Sequence, residues 1–172
     1  DLIEEGQKAE KELEAQAGHS TLWDNMKAFI FDYRFWLVTL YYLCLDSMFW
    51  GTMAWLPSYL KVARGFSWAA MGAWSSLPYV LGIVSVLASG YISDKIGRRA
   101  PLCFVSMLGA AAGIYFGAYA PDNTTAALLI SVGIASIGLG IAPAWAMVQH
   151  IVPGKAIGAG AGMMNGVSNG GS

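Results

Sequence analysis

Two groups of residues in this chain have the types and spacing to do chemistry. The first is a charged cluster, Gly90, Asp94, Lys95, Gly97, Arg98 and Arg99, with one acid and three bases inside six positions. The second is an isolated acid, Asp46, inside an apolar run, with Tyr42 and Trp50 one helical turn to either side. From Arg34 to Ser172 the only acids are Asp46, Asp94 and Asp122. The cluster is therefore a concentration of charge between apolar runs of membrane length, and such a hinge belongs at a bilayer surface. An ionised carboxylate in the middle of a span costs about 2.5–3.5 kcal/mol even on lenient insertion scales. Asp46 at that cost points to a water-filled pathway or a polar partner. The plainer reading is a hydrogen bond to a neighbouring helix.

Further polar groups sit in apolar surroundings. Trp145 and Gln149 are four apart beyond Pro143, and Asn165 and Asn169 are four apart near the end of the sequence. Amides inside an apolar bundle need partners, which are either neighbouring helices or a bound substrate. His19 and His150 have no partners at ligand spacing, and Cys44 and Cys103 lie singly in apolar runs. Gly138-Leu139-Gly140 has no Gly-Lys-Ser/Thr after it and is no phosphate cradle. No metal site, cofactor or enzymatic activity is expected.

The elements that must position these residues are long helices. The 172 residues are 56% hydrophobic and 12% charged, about half the charge of a typical soluble domain. No soluble core could bury so many uninterrupted apolar segments, which makes this an all-α polytopic membrane protein. The net charge of −1 gives no reason to expect a nucleic-acid partner. Residues 1–33 read as a polar segment followed by a short amphipathic helix, with a capping box at Thr21–Asp24 and the helix lying along the membrane interface. Residues 34–172 read as the transmembrane bundle, with spans at about 35–60, 67–93, 100–119 and 124–149 and a partial span at 156–172, about four and a half helices. Pro143 should bend or unwind the fourth. Gly158, Gly162, Gly166 and Gly170, like Gly113 and Gly117, make small-residue ridges for close helix packing.

Positive charge sets the orientation. One end of the bundle holds Lys27, Arg34, Lys95, Arg98, Arg99 and Lys155, and the other holds Lys61 and Arg64. The first end is expected to be cytoplasmic, with residues 1–33 and the 94–99 loop inside the cell. The chain starts on Asp1 and stops within an apolar run, so both ends read as cuts through a longer protein.

The run Gly90-x-x-Ser93-Asp94-Lys95-x-Gly97-Arg98-Arg99 resembles the signature loop of the major facilitator superfamily. Trp55-Leu56-Pro57-Ser58-Tyr59-Leu60, Pro143-Ala144-Trp145-Ala146 and Gly162-Met163-Met164-Asn165 resemble its anion:cation symporter family. The resemblance implies an incomplete six-helix C-terminal bundle, with the N-terminal half of the same protein as its partner. It implies a bacterial inner-membrane secondary transporter that moves organic anions such as hexuronates, aldonates and aldarates in symport with H⁺ or Na⁺. Trp145 and Asn165 match positions lining the family's cavity, and Tyr42 or Asp46 falls near another; Trp50 and Gln149 join the substrate-binding candidates. Asp94 would dock at a helix terminus of the other half, with Arg98 or Arg99 as partner. An acid at position 46 departs from the polar amide the family pattern suggests. Two alternatives follow: a transporter of a neutral or cationic solute, and a non-transporting membrane sensor or scaffold subunit.

Overall fold

The computed structural model describes residues 22–171, without the side chains of Leu22, Asp24 and Asn25. The polar segment 1–21 and the expected capping box lie outside the described residues. Six α-helices follow in order: α1 (Leu22–Ile30), α2 (Tyr33–Ser58), α3 (Trp68–Ile96), α4 (Ala100–Tyr119), α5 (Asn123–Ile151) and α6 (Ile157–Gly171). A π-helical turn, Tyr59–Ala63, extends α2, and a 3-10 turn, Gly154–Ala156, leads into α6.

Local chemistry sets these boundaries. Asp32 caps α2 by accepting from Arg34 N at 2.8 Å, Ser67 caps α3 through Ala70 N at 3.2 Å, and Asp122 caps α5 through Thr125 N at 2.8 Å. Gly97 closes α3 in the left-handed region, at φ 66°, with its N–H on Ser93 O. The loop needs glycine there because a Cβ strains that conformation. Gly65, at φ 68°, does the same for the turn after α2. That turn widens into a π-helix just beyond Pro57, which has no N–H to give to the ladder. Pro143 has no comparable effect: α5 runs unbroken from Asn123 to Ile151, and the expected unwinding is absent.

Three helices, α3, α4 and α5, are long and apolar enough to cross a membrane. The 26-residue α2 is also long enough, about 39 Å at 1.5 Å per residue, but its aromatic, hydroxyl and acidic residues make it less apolar. The most apolar window of α5 is 56% buried and that of α3 only 6%. Thus α5 is the central helix, while α3 turns Val80, Ile83, Val84 and Leu87 outward, as lipid contact requires.

The bundle has two apolar clusters. Leu45 and Leu56 of α2 meet Ala110 of α4 and Ile130, Ile134 and Ile137 of α5 in the first. Phe29 of α1, Phe35 and Val38 of α2, Val148 and Val152 at the end of α5, and Met164 of α6 form the second, at one end of the molecule. The amphipathic helix α1 thus buries Phe29 against protein, while Trp23 and Phe31 stay exposed for an interface.

Glycine packing is split. Gly113 of α4 lies directly against Gly133 of α5, and a Cβ at Gly117 would come within 2.5 Å of Ile130 Cγ1. Here the helices touch through backbone. On α6, Gly158, Gly162, Gly166 and Gly170 face open space, so among the described residues that ridge packs against nothing.

Candidate substrate site and charged loop

The polar face of α2 meets α5 where Trp145 Nε1 donates to Tyr42 Oη at 3.3 Å, with the rings edge to face at 5.7 Å. With Oη accepting, the Tyr42 hydroxyl hydrogen remains free for a ligand. One turn on, Asp46 is half-buried, and its Oδ2 is closed to solvent with no hydrogen-bond partner. One turn before Tyr42, Thr39 is buried, and its Oγ1 is likewise unpartnered. Positions 39, 42 and 46 share one helix face, so α2 carries a stripe of under-used polar groups through the bundle. Thr39 escapes a reading by charge or amide content. Its signal was the spacing, three residues before Tyr42.

The other substrate candidates are placed differently. Trp50 and Gln149 are exposed. Asn165 is exposed on α6, where Asn169 Nδ2 donates to both its O and its Oδ1 at 2.9 Å. The two amides pair along one helix and do not bridge to another, leaving the Asn165 NH₂ free. The contacts between helices come instead from Ser89 Oγ to Gly138 O at 3.4 Å, Ser106 Oγ to Ile137 O at 3.2 Å and Tyr41 Oη to Cys103 O at 3.4 Å. Neither Ser89 nor Ser106 stands out in the sequence. A separate cavity of about 340 Å³ opens between α3 and α5, bounded by Pro78, Gly82, Val86, Ile134 and Gly138. Of its lining residues only Tyr79 has a polar side-chain atom, so it offers an anion almost nothing to replace its water.

At the charged loop, Arg99 Nη1 reaches across to donate to Ala146 O of α5 at 3.0 Å. Ser93, Asp94, Gly97 and Arg99 then share a polar pocket of about 530 Å³ with Met147 and His150. Asp94, Lys95 and Arg98 are exposed, and among the described residues Asp94 forms no ion pair with Arg98 or Arg99. The expected pairing within the loop is therefore replaced by a link between the loop and α5. The pocket presents Asp94 outward, free for a partner.

The opposite end is organised by Arg64, which follows the Trp55–Leu60 run in the sequence. Its Nε donates to Tyr59 Oη at 2.7 Å, its Nη1 to Ala120 O at 2.9 Å, and its Nη2 to Gly117 O at 3.2 Å and Ala118 O at 2.9 Å. Asn123 Nδ2 returns a bond to Arg64 O at 2.8 Å. The guanidinium fork thereby caps α4 and ties the end of α2 to the α4–α5 corner.

The family model described as Major Facilitator Superfamily matches residues 2–172. The chain belongs to this superfamily. It is 33% identical over 140 residues to a probable sulfoacetate transporter of Cupriavidus necator, covering 77% of this chain and 32% of that protein. A quinolone resistance transporter of Acinetobacter baumannii is 30% identical over 141 residues, covering 80% of this chain and 32% of its own. A hexuronate transporter of Bacillus subtilis is 25% identical over 127 residues, covering 68% and 30%. The chain spans about a third of the length of these curated relatives. No solved structure matches it. As a major facilitator chain it is an all-α membrane protein.

Proposed function

We propose that this chain is part of the C-terminal half of a secondary transporter that moves organic anions, sugar acids in particular, across the bacterial inner membrane by ion-coupled alternating access. The observation that carries the reading is the Tyr42–Trp145 pair, an aromatic and hydroxyl surface joining α2 to α5. It is supported by relatives named for sulfoacetate and hexuronate transport. Tyr42 and Trp145 contact the substrate, and the free amide of Asn165 on α6 offers it a further contact. Trp50 and Gln149, exposed at the edges, line the approach. The signature loop gates the cytoplasmic side: Arg99 holds the loop to α5, and Asp94 engages the remainder of the protein.

A second reading has its own support. Asp46 is an acid on the same face, and one relative is named for quinolone resistance, so a cationic or neutral solute is the competing cargo. Membrane vesicles bearing the full-length protein separate the two. Labelled hexuronate, aldonate or sulfoacetate should accumulate and be lost when an ionophore collapses the gradients. Accumulation of cations or neutral solutes alone would overturn the anion reading.

A further inference from the structure

Asp46 lies midway along the 26-residue α2, at the depth farthest from water on either side. Its Oδ2 is shut from solvent and receives no hydrogen bond. Oδ2 therefore has neither water nor a donor to carry charge, although the side chain as a whole is only half-buried. Charged groups facing it are scarce. On α2 the nearest titratable side chain on its face is Tyr42. Between Ile157 and Gly171, α6 has none. On α5 there is only His150, exposed at the end near the charged loop. On α3, Tyr79 and Tyr91 are exposed, and Asp94 and Lys95 stand at its loop end. Lys27 of α1 and Arg34 at the start of α2 are exposed at that same end. Among the described residues no cation forms a hydrogen bond or ion pair with Asp46.

The second observation is the stripe itself. Thr39 Oγ1, also buried and unpartnered, and the free hydroxyl hydrogen of Tyr42 stand on the same face in steps of about 4.5–6 Å of helix rise, a gap one water molecule can bridge. Hydroxyls both donate and accept, as a proton path requires.

We propose that Asp46 is a proton-carrying site of this bundle, served from the charged-loop end by Tyr42 and Thr39. The proposal rests on the ion-coupled transporter reading above. With the oxygen closed off, Asp46 holds the proton as a neutral acid. When the face opens to water on one side, the O–H bond breaks and the proton passes to that water. When it opens to the other side, Oδ2 takes a proton from water there, and the neutral face can close again.

The test uses the full-length protein in liposomes. Asp46→Asn should lower uptake driven by a pH gradient at least tenfold more than it lowers exchange at equal pH on both sides. Infrared spectroscopy of the substrate-free protein should show a protonated carboxyl band that vanishes in Asp46→Asn. If that variant fails to fold, Asp46→Glu should retain gradient-driven uptake with a shifted pH midpoint. A wild-type pH profile in Asp46→Asn, an unmoved midpoint in Asp46→Glu, or a carboxyl band that survives Asp46→Asn overturns the proposal. A sodium dependence that disappears with Asp46→Asn overturns it in favour of a metal ion. Failure of the wild type to move any organic anion counts against the substrate reading alone, because the infrared arm needs no substrate.

Discussion

At Tyr42 and Trp145, two side chains 103 positions apart hold each other in place through one hydrogen bond and one edge-to-face contact. Tyr42→Phe removes the acceptor and should weaken anion binding about two- to tenfold, the equivalent of roughly 0.5–1.5 kcal/mol. Trp145→Phe on that background should add less than it does alone, and a double-mutant cycle in binding reads the difference. Asp122 gives a pH prediction outside the spans. Its carboxyl is held below the ordinary range first by the Thr125 side chain and then by the Thr125 backbone N–H. A carboxyl lowered on folding contributes fully above its unfolded value, about 3.9, and loses that contribution as pH falls through the folded value. Melting curves of wild type and Asp122→Asn should therefore keep a constant separation near neutral pH. The wild type should lose ground to the variant only in strong acid, below about pH 4. Among single residues, Asp46 was legible because acids are so rare here. Thr39 was not, since a threonine in an apolar helix carries no compositional signal. The pairing of Asn165 with Asn169 was hidden because four-residue spacing serves self-pairing and interhelical contact equally.

Helices and their ends were legible where local chemistry decides them and obscure where tertiary contact does. The turn at Gly65, the loop after α3 and the Asp122 corner follow from glycine, proline and capping residues. The π-turn after Pro57 and the unbroken α-helix through Pro143 do not, because the same residue type gave different outcomes in different surroundings. The two glycine ridges read alike, yet only the α4 ridge meets a partner. Gly113→Ala should separate α4 from α5 and cost about 1–3 kcal/mol. Gly162→Ala, facing open space, should change stability by less than about 0.5 kcal/mol. Thermal unfolding in detergent compares them. Arg64→Lys keeps the charge but loses the fork. It should lower stability by about 1–3 kcal/mol and let the last turn of α4 fray, seen as faster hydrogen exchange at Ala118–Ala120.

For the whole molecule, alternating the loops predicted which charges share an end, and the coordinates agree. The second apolar cluster gathers α1, the start of α2, the end of α5 and the 3-10 turn at one end, and Arg99 reaches that part of α5. Arg64 joins the α4–α5 corner at the other. The superfamily was legible because the glycines and charges of one loop lie close together in sequence, whereas candidate substrate residues are scattered over helices that only folding brings together. Which end is cytoplasmic is testable in intact cells. A cysteine at Val62, exposed near Arg64, should react with an impermeant maleimide added outside, and one replacing Arg98 should react only after permeabilisation. Among the described residues the end that holds Arg64 has only one other base, Lys61, whose ammonium donates to Phe66 O and sits 4.6 Å from the Trp68 ring centre. Arg64 spends its fork on oxygens of its own chain. Hydrogen bonds to neutral oxygens leave both positive charges in place, but Asp122 at the same corner offsets one of them, so the described residues give this end only a small net charge. Lys61→Gln in the full-length protein should therefore lower the initial uptake rate by less than about twofold, with little change in its dependence on ionic strength.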